Sequence, residues 1–408
     1  MRNRSFIAVT AALAASALSL TACGSRDDSG GGDSGSGGNT VVAIGVDAPL
    51  TGDLSALGLG IKNSADLAVK IANRNKEVPG VTFKIKALDD QAQPSSGQQN
   101  ATQFVADKEV IGAVGPLNSS VGQSMQKVFA AANMVQVSPA NTSPALTQGE
   151  NWRTEKKRLY KTYFRTATTD AVQGPFAAQY VYNDAKKRKV YVIDDKKTYG
   201  AGLAATFTEE FKKLGGKVVG TDHINPDTKD FGAIVTKIKG SGADIVYYGG
   251  EYPQAGPLSA QIKKAGVNIP LVGGDGIFSE DFIKLTGKRG EGDLATSVGA
   301  PVEQLDSAKT FIKEYKAAGY KEPYEAYGGY SYDATWAIIQ AVKAVVKDGK
   351  LPSNARAKVV EAMQNVSFDG VGGKVSFDEF GDTTNKQLTV YKVEGGKWVP
   401  AKTGTFTG

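Results

Sequence analysis

The chain of 408 residues contains one histidine and one cysteine, and this scarcity excludes two classes of site chemistry. A nucleophilic triad needs a histidine next to a serine or cysteine. The only histidine, His223, follows a predicted strand and lies far from any serine-rich turn in the sequence, so we interpret it as a loop residue. A zinc site needs clustered histidine and cysteine ligands. The composition therefore predicts no triad, no metal site and no cofactor.

Nucleotide-binding patterns are also missing. The sequence Gly58-Leu59-Gly60 lacks the third glycine of a dinucleotide-binding fingerprint, and no P-loop pattern occurs. The net charge is only +6, and basic runs such as 186–189 have no interleaved aromatic residues, so we expect no nucleic-acid partner. The acid pairs at 89–90 and 194–195 are compatible with a hydrolase, although acids at strand ends commonly accept hydrogen bonds from backbone amides. A surface-anchored hydrolase therefore remains an alternative.

Long hydrophobic runs are absent apart from a short one near the N-terminus. Residues 1–22 begin with Arg2 and Arg4 and continue through an apolar stretch too short to span a bilayer, which predicts an export signal peptide. The signal ends in Leu-Thr-Ala before Cys23, a sequence that resembles a bacterial lipobox and implies a lipid anchor on Cys23. Residues 23–40 are then the lipidated cysteine and a flexible Gly/Ser tether. We expect a protein held at the extracytoplasmic face of the cell membrane.

From residue 41 the chain alternates β-branched runs with amphipathic helical patterns. A polar, irregular stretch at 148–168 divides the predicted strands into two series. These strands are 41–46, 81–88, 110–115, 134–138, 190–194, 244–249 and 270–274. Alternating strands and helices predict parallel sheets covered on both faces, so we expect an α/β fold with two doubly wound domains. The tail at 374–393 predicts a hairpin that adds to one of these sheets.

Ligands of open parallel sheets bind beyond the carboxyl ends of the strands, and several predicted strand ends carry suitable groups. Ser119 and Ser120 precede a predicted helix, whose N-terminal amides attract an anion. Asp275 stands between glycines and can meet a cation, and Tyr199 offers an aromatic wall with a hydroxyl. Glu251 follows two glycines and is either a solvated acid or a ligand contact. Together these groups describe a site for a zwitterion such as an amino acid.

Five stretches resemble the substrate-binding lipoproteins of branched-chain amino-acid ABC transporters, in the type I periplasmic binding protein family. They stand in family order: APLTGDLSALG (48–58), SPANTSPAL (138–146), DDKKTYGAGL (194–203), VYYGGEYPQAG (246–256) and YGGYSYDA (327–334). The resemblance covers the body from Val41 to the C-terminus. It implies two doubly wound parallel-sheet lobes joined by a three-strand hinge, with an N-terminal lobe at 41–164 plus 299–374 and a C-terminal lobe at 165–298 plus 375–408.

The same resemblance implies an activity without catalysis. A monomeric lipoprotein captures a free amino acid, first of all a branched-chain one, by hinge closure and passes it to permease subunits in the membrane. It implies that Ser119 and Thr142 bind the α-carboxylate. The carbonyl of Ala140, with Thr142, receives the α-ammonium group, and Asp275 neutralises it.

Further contacts follow from the family pattern. Tyr199 closes over the ligand from the second lobe and Gly276 lies beside the acid, while Ser120 and Asn141 are expected to line the same site. The family often carries an aromatic residue where Glu251 stands in this sequence. The alternatives are therefore another small polar ligand (an amide, urea, or a polar or cationic amino acid) and a ligand sensor.

Overall fold

The structure is a computed structural model and describes residues 39–406. The predicted signal peptide at 1–22, the lipidation site Cys23 and the tether up to residue 38 lie outside the described residues. Between residues 39 and 406, no helix combines the length and the apolar character that crossing a membrane requires. In the same range, no three His, Cys, Asp or Glu side chains are grouped so that they could hold a metal ion.

Residues 39–406 contain fourteen strands, which are distributed over three sheets. The strands are β1 (Thr40–Ala48), β2 (Val81–Asp89), β3 (Val110–Val114), β4 (Val135–Ser138), β5 (Tyr163–Arg165), β6 (Lys189–Asp194), β7 (Lys217–His223), β8 (Ile245–Gly249), β9 (Leu271–Gly273), β10 (Leu294–Ser297), β11 (Ser367–Gly370), β12 (Gly373–Ser376), β13 (Gln387–Glu394) and β14 (Lys397–Thr405). The helices are α1 (Ser55–Arg74), α2 (Pro94–Ala106), α3 (Ser119–Ala131), α4 (Ala145–Gln148), α5 (Asp170–Gln179), α6 (Thr198–Lys213), α7 (Gly232–Ser241), α8 (Tyr252–Lys264), α9 (Glu280–Thr286), α10 (Lys309–Ala317), α11 (Gly328–Val345) and α12 (Ala355–Met363).

The first sheet contains five parallel strands in the order β2-β1-β3-β4-β5. Strands β3 and β4 are buried along their whole length, as expected for a parallel sheet with helices on both faces. Helix α11 packs against α1 and against β3 and β4, although it follows most strands of the second sheet in the chain. We call this sheet and its helices the first lobe.

The second sheet contains seven strands in the order β14-β13-β10-β9-β8-β6-β7. Strands β6 to β10 pair in parallel, and β13 runs antiparallel to both β10 and β14. We call this sheet and its helices the second lobe. The chain passes between the lobes after β5, after β10 and after β12, so the predicted fold of two doubly wound lobes with a three-strand connection is confirmed.

The predicted tail hairpin over 374–393 is wrong in its pairing. Strand β12 pairs with β11 in a separate two-stranded sheet, whereas β13 joins the second sheet between β14 and β10. A turn does form between them, closed by an isolated bridge between Phe377 and Thr383. Next to this bridge, Asp382 accepts hydrogen bonds from Arg165 and Gln148 of 2.6 and 2.7 Å. These bonds fix the turn to the first lobe, so the two strands diverge into different sheets.

Candidate ligand-binding cleft

A narrow cavity lies between the two lobes, at the turns that follow the strands of both parallel sheets. This is the position at which open parallel sheets bind ligands. The first lobe contributes Leu57, Leu117, Asn118, Ser119, Ala140 and Tyr327, and the second contributes Tyr199, Glu251, Asp275 and Gly276. The cavity therefore brings together groups that are widely separated in the sequence.

Six of the predicted site residues line this cavity, namely Ser119, Ala140, Tyr199, Glu251, Asp275 and Gly276. The other three, Ser120, Asn141 and Thr142, do not contribute to its lining. The side-chain amide of Asn141 donates to the carbonyls of Pro116 and Leu117 at 3.1 and 2.9 Å, so it fixes the shape of the first-lobe turns. Thr142 is fully buried and Ser120 is half-buried.

Asp275 is a buried carboxylate surrounded by uncharged hydrogen-bond donors. Its Oδ1 accepts from Tyr199 Oη at 2.8 Å and from Gln173 Nε2 at 2.9 Å, and its Oδ2 accepts from Tyr327 Oη at 2.7 Å. Burial raises the pKa of Asp275, and these three hydrogen bonds oppose that rise. Within residues 39–406 no lysine, arginine or histidine forms an ion pair with it. The site therefore holds an acid prepared for a cation.

The backbone around Asp275 is held as tightly as its side chain. The Asp275 amide donates to Gln173 Oε1 at 3.0 Å, and the Gly276 amide donates to Tyr199 Oη at 3.0 Å. A Cβ atom on Gly276 would lie 2.9 Å from Tyr199 Cε1 and 3.0 Å from the carbonyl oxygen of Gly250. Because these distances leave no room for a side chain, a glycine at this position keeps the wall of the cavity close-packed.

A second buried acid, Asp170, stands next to Asp275. The amide of Gln173 bridges the two, since its Nε2 also donates to Asp170 Oδ1 at 3.3 Å. Burial and the charge of Asp275 raise the pKa of Asp170 to about 8. At neutral pH the Asp170 carboxyl is therefore mainly protonated, which removes a like charge from beside Asp275.

Glu251 points into the cavity rather than into solvent. Its side chain is buried, and its Oε2 forms a 2.9 Å ion pair with Lys197 Nζ. Its Oε1 accepts a hydrogen bond from Asn118 Nδ2 of the first lobe. Strand β6 lies next to β8 with Asp194 opposite Gly249, and this register brings Lys197 within reach of Glu251. Glu251 thus has a cationic partner, which Asp275 lacks among residues 39–406, and through Asn118 it also connects the lobes.

The N-terminus of α3 faces the same cavity through Ser119. The side chain of its N-cap residue, Asn118, does not cap this helix. The first amides of the helix therefore have no partner from that side chain, and the positive end of the helix dipole is directed at the cleft. Ser119 is buried, and its Oγ accepts a long hydrogen bond of 3.4 Å from the Ser143 amide. The hydroxyl proton of Ser119 remains available to an anion.

The strand-end acid pairs that suggested a hydrolase hold their own turns. All four carboxylates accept hydrogen bonds from backbone amides, in the pairs Asp89–Gln91 at 2.9 Å, Asp90–Ala92 at 2.7 Å, Asp194–Lys196 at 2.8 Å and Asp195–Lys197 at 3.0 Å. His223 is the exposed last residue of β7 rather than a loop residue, and its Nδ1 lies 2.8 Å from Asp194 Oδ1. It does not line the cavity.

Sequence reasoning missed four lining residues, Leu57, Leu117, Asn118 and Tyr327. Leu57 and Tyr327 lie in stretches that carried the family resemblance, and Leu117 and Asn118 directly follow a predicted strand. Their positions in the sequence could therefore have identified them as candidates. Sequence reasoning also missed Lys197 and Asp170, which act through Glu251 and Asp275. The contact of Lys197 with Glu251 depends on the order of strands in the second sheet, and the contact of Asp170 with Asp275 depends on the path of the chain after β5. A local sequence pattern contains neither.

Two lobes of mainly parallel sheet with a narrow cavity between them define a two-lobed solute-binding protein. The family profile described as "Periplasmic binding protein" matches residues 41–397. The chain therefore belongs to the periplasmic binding protein family. The Leu/Ile/Val-binding protein homolog 1 of Brucella suis biovar 1 (strain 1330) is 34% identical over 356 residues, which cover 87% of this chain and 91% of the relative.

Solved structures of similar proteins agree with this assignment. A leucine binding protein LivK from Thermotoga maritima MSB8 is 26% identical with a TM-score of 0.78, and the match covers 89% of this chain and 98% of that one. The branched-chain amino acid transporter substrate binding protein LivJ from Streptococcus pneumoniae, solved in complex with isoleucine, is 25% identical with a TM-score of 0.79. That match covers 90% of this chain and 99% of the other.

Proposed function

We propose that this protein captures a free amino acid between its lobes and delivers it to the permease of an ABC importer. The observation that carries the proposal is the buried carboxylate of Asp275, which has three uncharged donors and no cationic partner among residues 39–406. A buried charge without a counter-ion is unfavourable. An α-ammonium group would supply that counter-ion.

The α-carboxylate of the ligand, which carries the opposite charge, is assigned to a site on the first lobe. The α-carboxylate binds the hydroxyl of Ser119 and the free amides at the start of α3, where the helix dipole favours an anion. Thr142, with Asn141 and Ser120, supports this end of the site, and the carbonyl of Ala140 accepts from the ammonium group. Tyr199 then closes over the ligand from the second lobe.

A branched-chain amino acid is the first candidate for the ligand. Leu57 and Leu117 line the cavity and offer apolar surface to an aliphatic side chain. The relatives named Leu/Ile/Val-binding protein and the isoleucine complex of LivJ support the same class. Urea, other amides, and polar or cationic amino acids are the alternative ligands, because Glu251 stands where the family often has an aromatic residue that would contact an aliphatic side chain.

Transport requires that the lobes open and close. We assign the N-terminal lobe to 41–164 plus 299–374 and the C-terminal lobe to 165–298 plus 375–408, with hinge motion at the three crossings. The closed, loaded form is the one presented to the permease subunits. The chain itself carries out no reaction and acts as a monomer.

Anchoring completes the proposal. Cys23 carries the lipid, residues 24–40 form the tether, and the binding lobes work at the extracytoplasmic face of the cell membrane. A sensor that signals through a partner protein would use the same closure. Loss of uptake when the partner permease is deleted, with ligand binding intact, would favour the importer.

A thermal-shift scan with the twenty amino acids tests the proposal, because a ligand that binds only the folded state raises its apparent stability. We expect a saturable shift with at least one amino acid and its loss in Ser119→Ala. The matched control is Ser353→Ala, which alters an exposed serine outside the cavity. No shift with any amino acid, together with turnover of a peptide or glycoside, would support the anchored hydrolase instead.

A further inference from the structure

Asn118 and Glu251 are the N-cap residues of two helices on different lobes, α3 and α8, and neither side chain caps its own helix. Asparagine is among the most favourable N-cap residues, so Asn118 gives up a stabilising local contact. Its Nδ2 instead donates to Glu251 Oε1 across the cleft. Both residues line the cavity and each is only 5% exposed. This geometry indicates that the two side chains are positioned for the ligand.

The second polar atom of the Asn118 side chain has no hydrogen-bond partner in the part of the chain that the structure describes. Its Oδ1 is buried and accepts no hydrogen bond from residues 39–406. The orientation of the amide follows from chemistry, because the carboxylate of Glu251 can only accept and must face the NH₂ group. A buried acceptor without a donor is unfavourable. A donor on the ligand would satisfy it.

That donor should be uncharged. Both oxygens of Glu251 are already engaged, one by Asn118 and the other by Lys197 Nζ at 2.9 Å. A cationic ligand side chain would stand close to Lys197 and compete with it for the same carboxylate. A hydroxyl or a carboxamide donates to Asn118 Oδ1 without this repulsion.

The shape of the site restricts the donor further. Leu57 and Leu117 line the same cavity, so one part of the ligand side chain meets apolar surface while another meets Asn118. We infer that Asn118 shifts the preference of the site away from the aliphatic first candidates: an amino acid whose branched side chain carries a neutral hydrogen-bond donor, as in threonine or asparagine, binds more tightly than its isosteres valine and leucine. The inference rests on the proposed function, since it assumes that the α-groups bind at Asp275 and at α3.

Calorimetric titration of the full chain with the isosteric pairs threonine/valine and asparagine/leucine tests the inference. Each pair has nearly the same shape and differs in the polar group, so the ratio of affinities isolates the hydrogen bond. We expect the donor-bearing member of at least one pair to bind more tightly by about tenfold or more. Lysine and arginine should bind more weakly than that member.

Variants of Asn118 locate the source of the preference. In Asn118→Leu, and in the smaller Asn118→Ala, we expect the ratio within the pair to fall to about threefold or less, while circular dichroism and thermal unfolding show a folded protein. The matched control is Asn354→Leu. Asn354 is also an N-cap residue whose side chain does not cap its helix, but it is exposed and outside the cavity.

The outcomes separate this inference from the proposed function. Equal or tighter binding of valine and leucine by the unchanged protein would overturn the inference and leave amino-acid capture intact. An equal loss of affinity for all four ligands in Asn118→Leu would also overturn it, because Asn118 would then contact the α-groups. Binding of lysine or arginine more tightly than threonine and asparagine would overturn the inference that the donor on the ligand is uncharged. Binding of no amino acid at all would overturn the proposed function, and the inference with it.

Discussion

The hydroxyl of Tyr327 donates a 2.7 Å hydrogen bond to Asp275 Oδ2, and the two residues belong to different lobes. Tyr327 directly precedes α11 of the first lobe, while Asp275 follows β9 of the second. The acid that we assign to the ammonium group of the ligand therefore also takes part in a contact between the lobes. If this assignment holds, ligand binding and lobe closure share one carboxylate, which would couple the two events.

Replacement of the acid tests the first part of this relationship. Asp275→Asn keeps the shape of the side chain but removes its charge, so we expect amino-acid affinity to fall by about 1–3 kcal/mol. Calorimetry on the folded variant measures the change. Asp306→Asn is the matched control because the side chain of Asp306 is 92% exposed. Equal affinities of Asp275→Asn and the unchanged protein would contradict the assignment of the ammonium site.

Replacement of the tyrosine tests the second part. Tyr327→Phe removes one hydrogen bond of the closed form, so we expect the apparent affinity to fall by about 1 kcal/mol, or roughly fivefold. Small-angle scattering at a fixed subsaturating ligand concentration should show a smaller closed fraction. Tyr324→Phe is the control, since its hydroxyl donates to Glu303 and does not line the cavity. An equal loss of apparent affinity in Tyr327→Phe and Tyr324→Phe would mean that the Tyr327–Asp275 contact does not contribute specifically to lobe closure.

Local sequence patterns were sufficient for the parallel sheets, and six of the nine residues that they and the family resemblance suggested as ligand contacts line the cavity. The runs that became β1, β3 and β8 are apolar and largely or entirely buried, and such runs are typical of parallel strands. The turns after β3 and β8 were predicted as ligand contacts. Asp275, between two glycines after β9, lies in the cavity as the turn chemistry indicated.

Long-range pairing accounts for what the sequence could not provide. Lys197 contacts Glu251 only because β6 lies beside β8 in the second sheet, and Tyr327 reaches Asp275 only because the chain returns to the first lobe after β10. Strand β14 contains Pro400 and is mostly exposed, so neither propensity nor an apolar pattern identified it. The tail hairpin was wrong because its two halves pair with strands of different sheets, β12 with β11 and β13 with β10 and β14.

The raised pKa of Asp170 predicts a pH dependence of stability. Burial and the charge of Asp275 raise this pKa from 3.8 to about 8. Between these values the unfolded chain releases a proton that the folded chain keeps, so the free energy of unfolding falls as the pH rises from 4 to 8 and then levels off. In Asp170→Asn this contribution is absent.

Urea unfolding at several pH values between 5 and 8 measures the effect. Between pH 5 and 8 the free energy of unfolding should fall in the unchanged protein, and it should fall less in Asp170→Asn. We expect the two falls to differ by more than about 1 kcal/mol. Asp369→Asn, at an exposed position, should follow the unchanged protein. Parallel pH profiles for Asp170→Asn and the unchanged protein would contradict the prediction.

The fully buried ion pair of Arg165 and Asp382 connects the end of β5 to the tail, and it is expected to dominate stability near the crossings. Their Nε and Oδ1 atoms are 2.6 Å apart and both side chains are 0% exposed. Arg165 Nη1 also donates to the carbonyls of Asn141 and Ser143 at 2.9 and 2.8 Å. The pair therefore fixes the turn that carries Ala140 into the cavity.

A double-mutant cycle with Arg165→Met and Asp382→Asn tests that role. Either single change leaves a buried group without its partner, so each should lower the free energy of unfolding by about 3–5 kcal/mol. The double variant should lose less than the sum of the two, because no charge is then left unpaired. Asp306→Asn breaks a pair in which the side chains of Lys309 and Asp306 are 77% and 92% exposed, and it should leave stability unchanged. Strict additivity in the cycle would show that Arg165 acts through the carbonyls alone and not through Asp382.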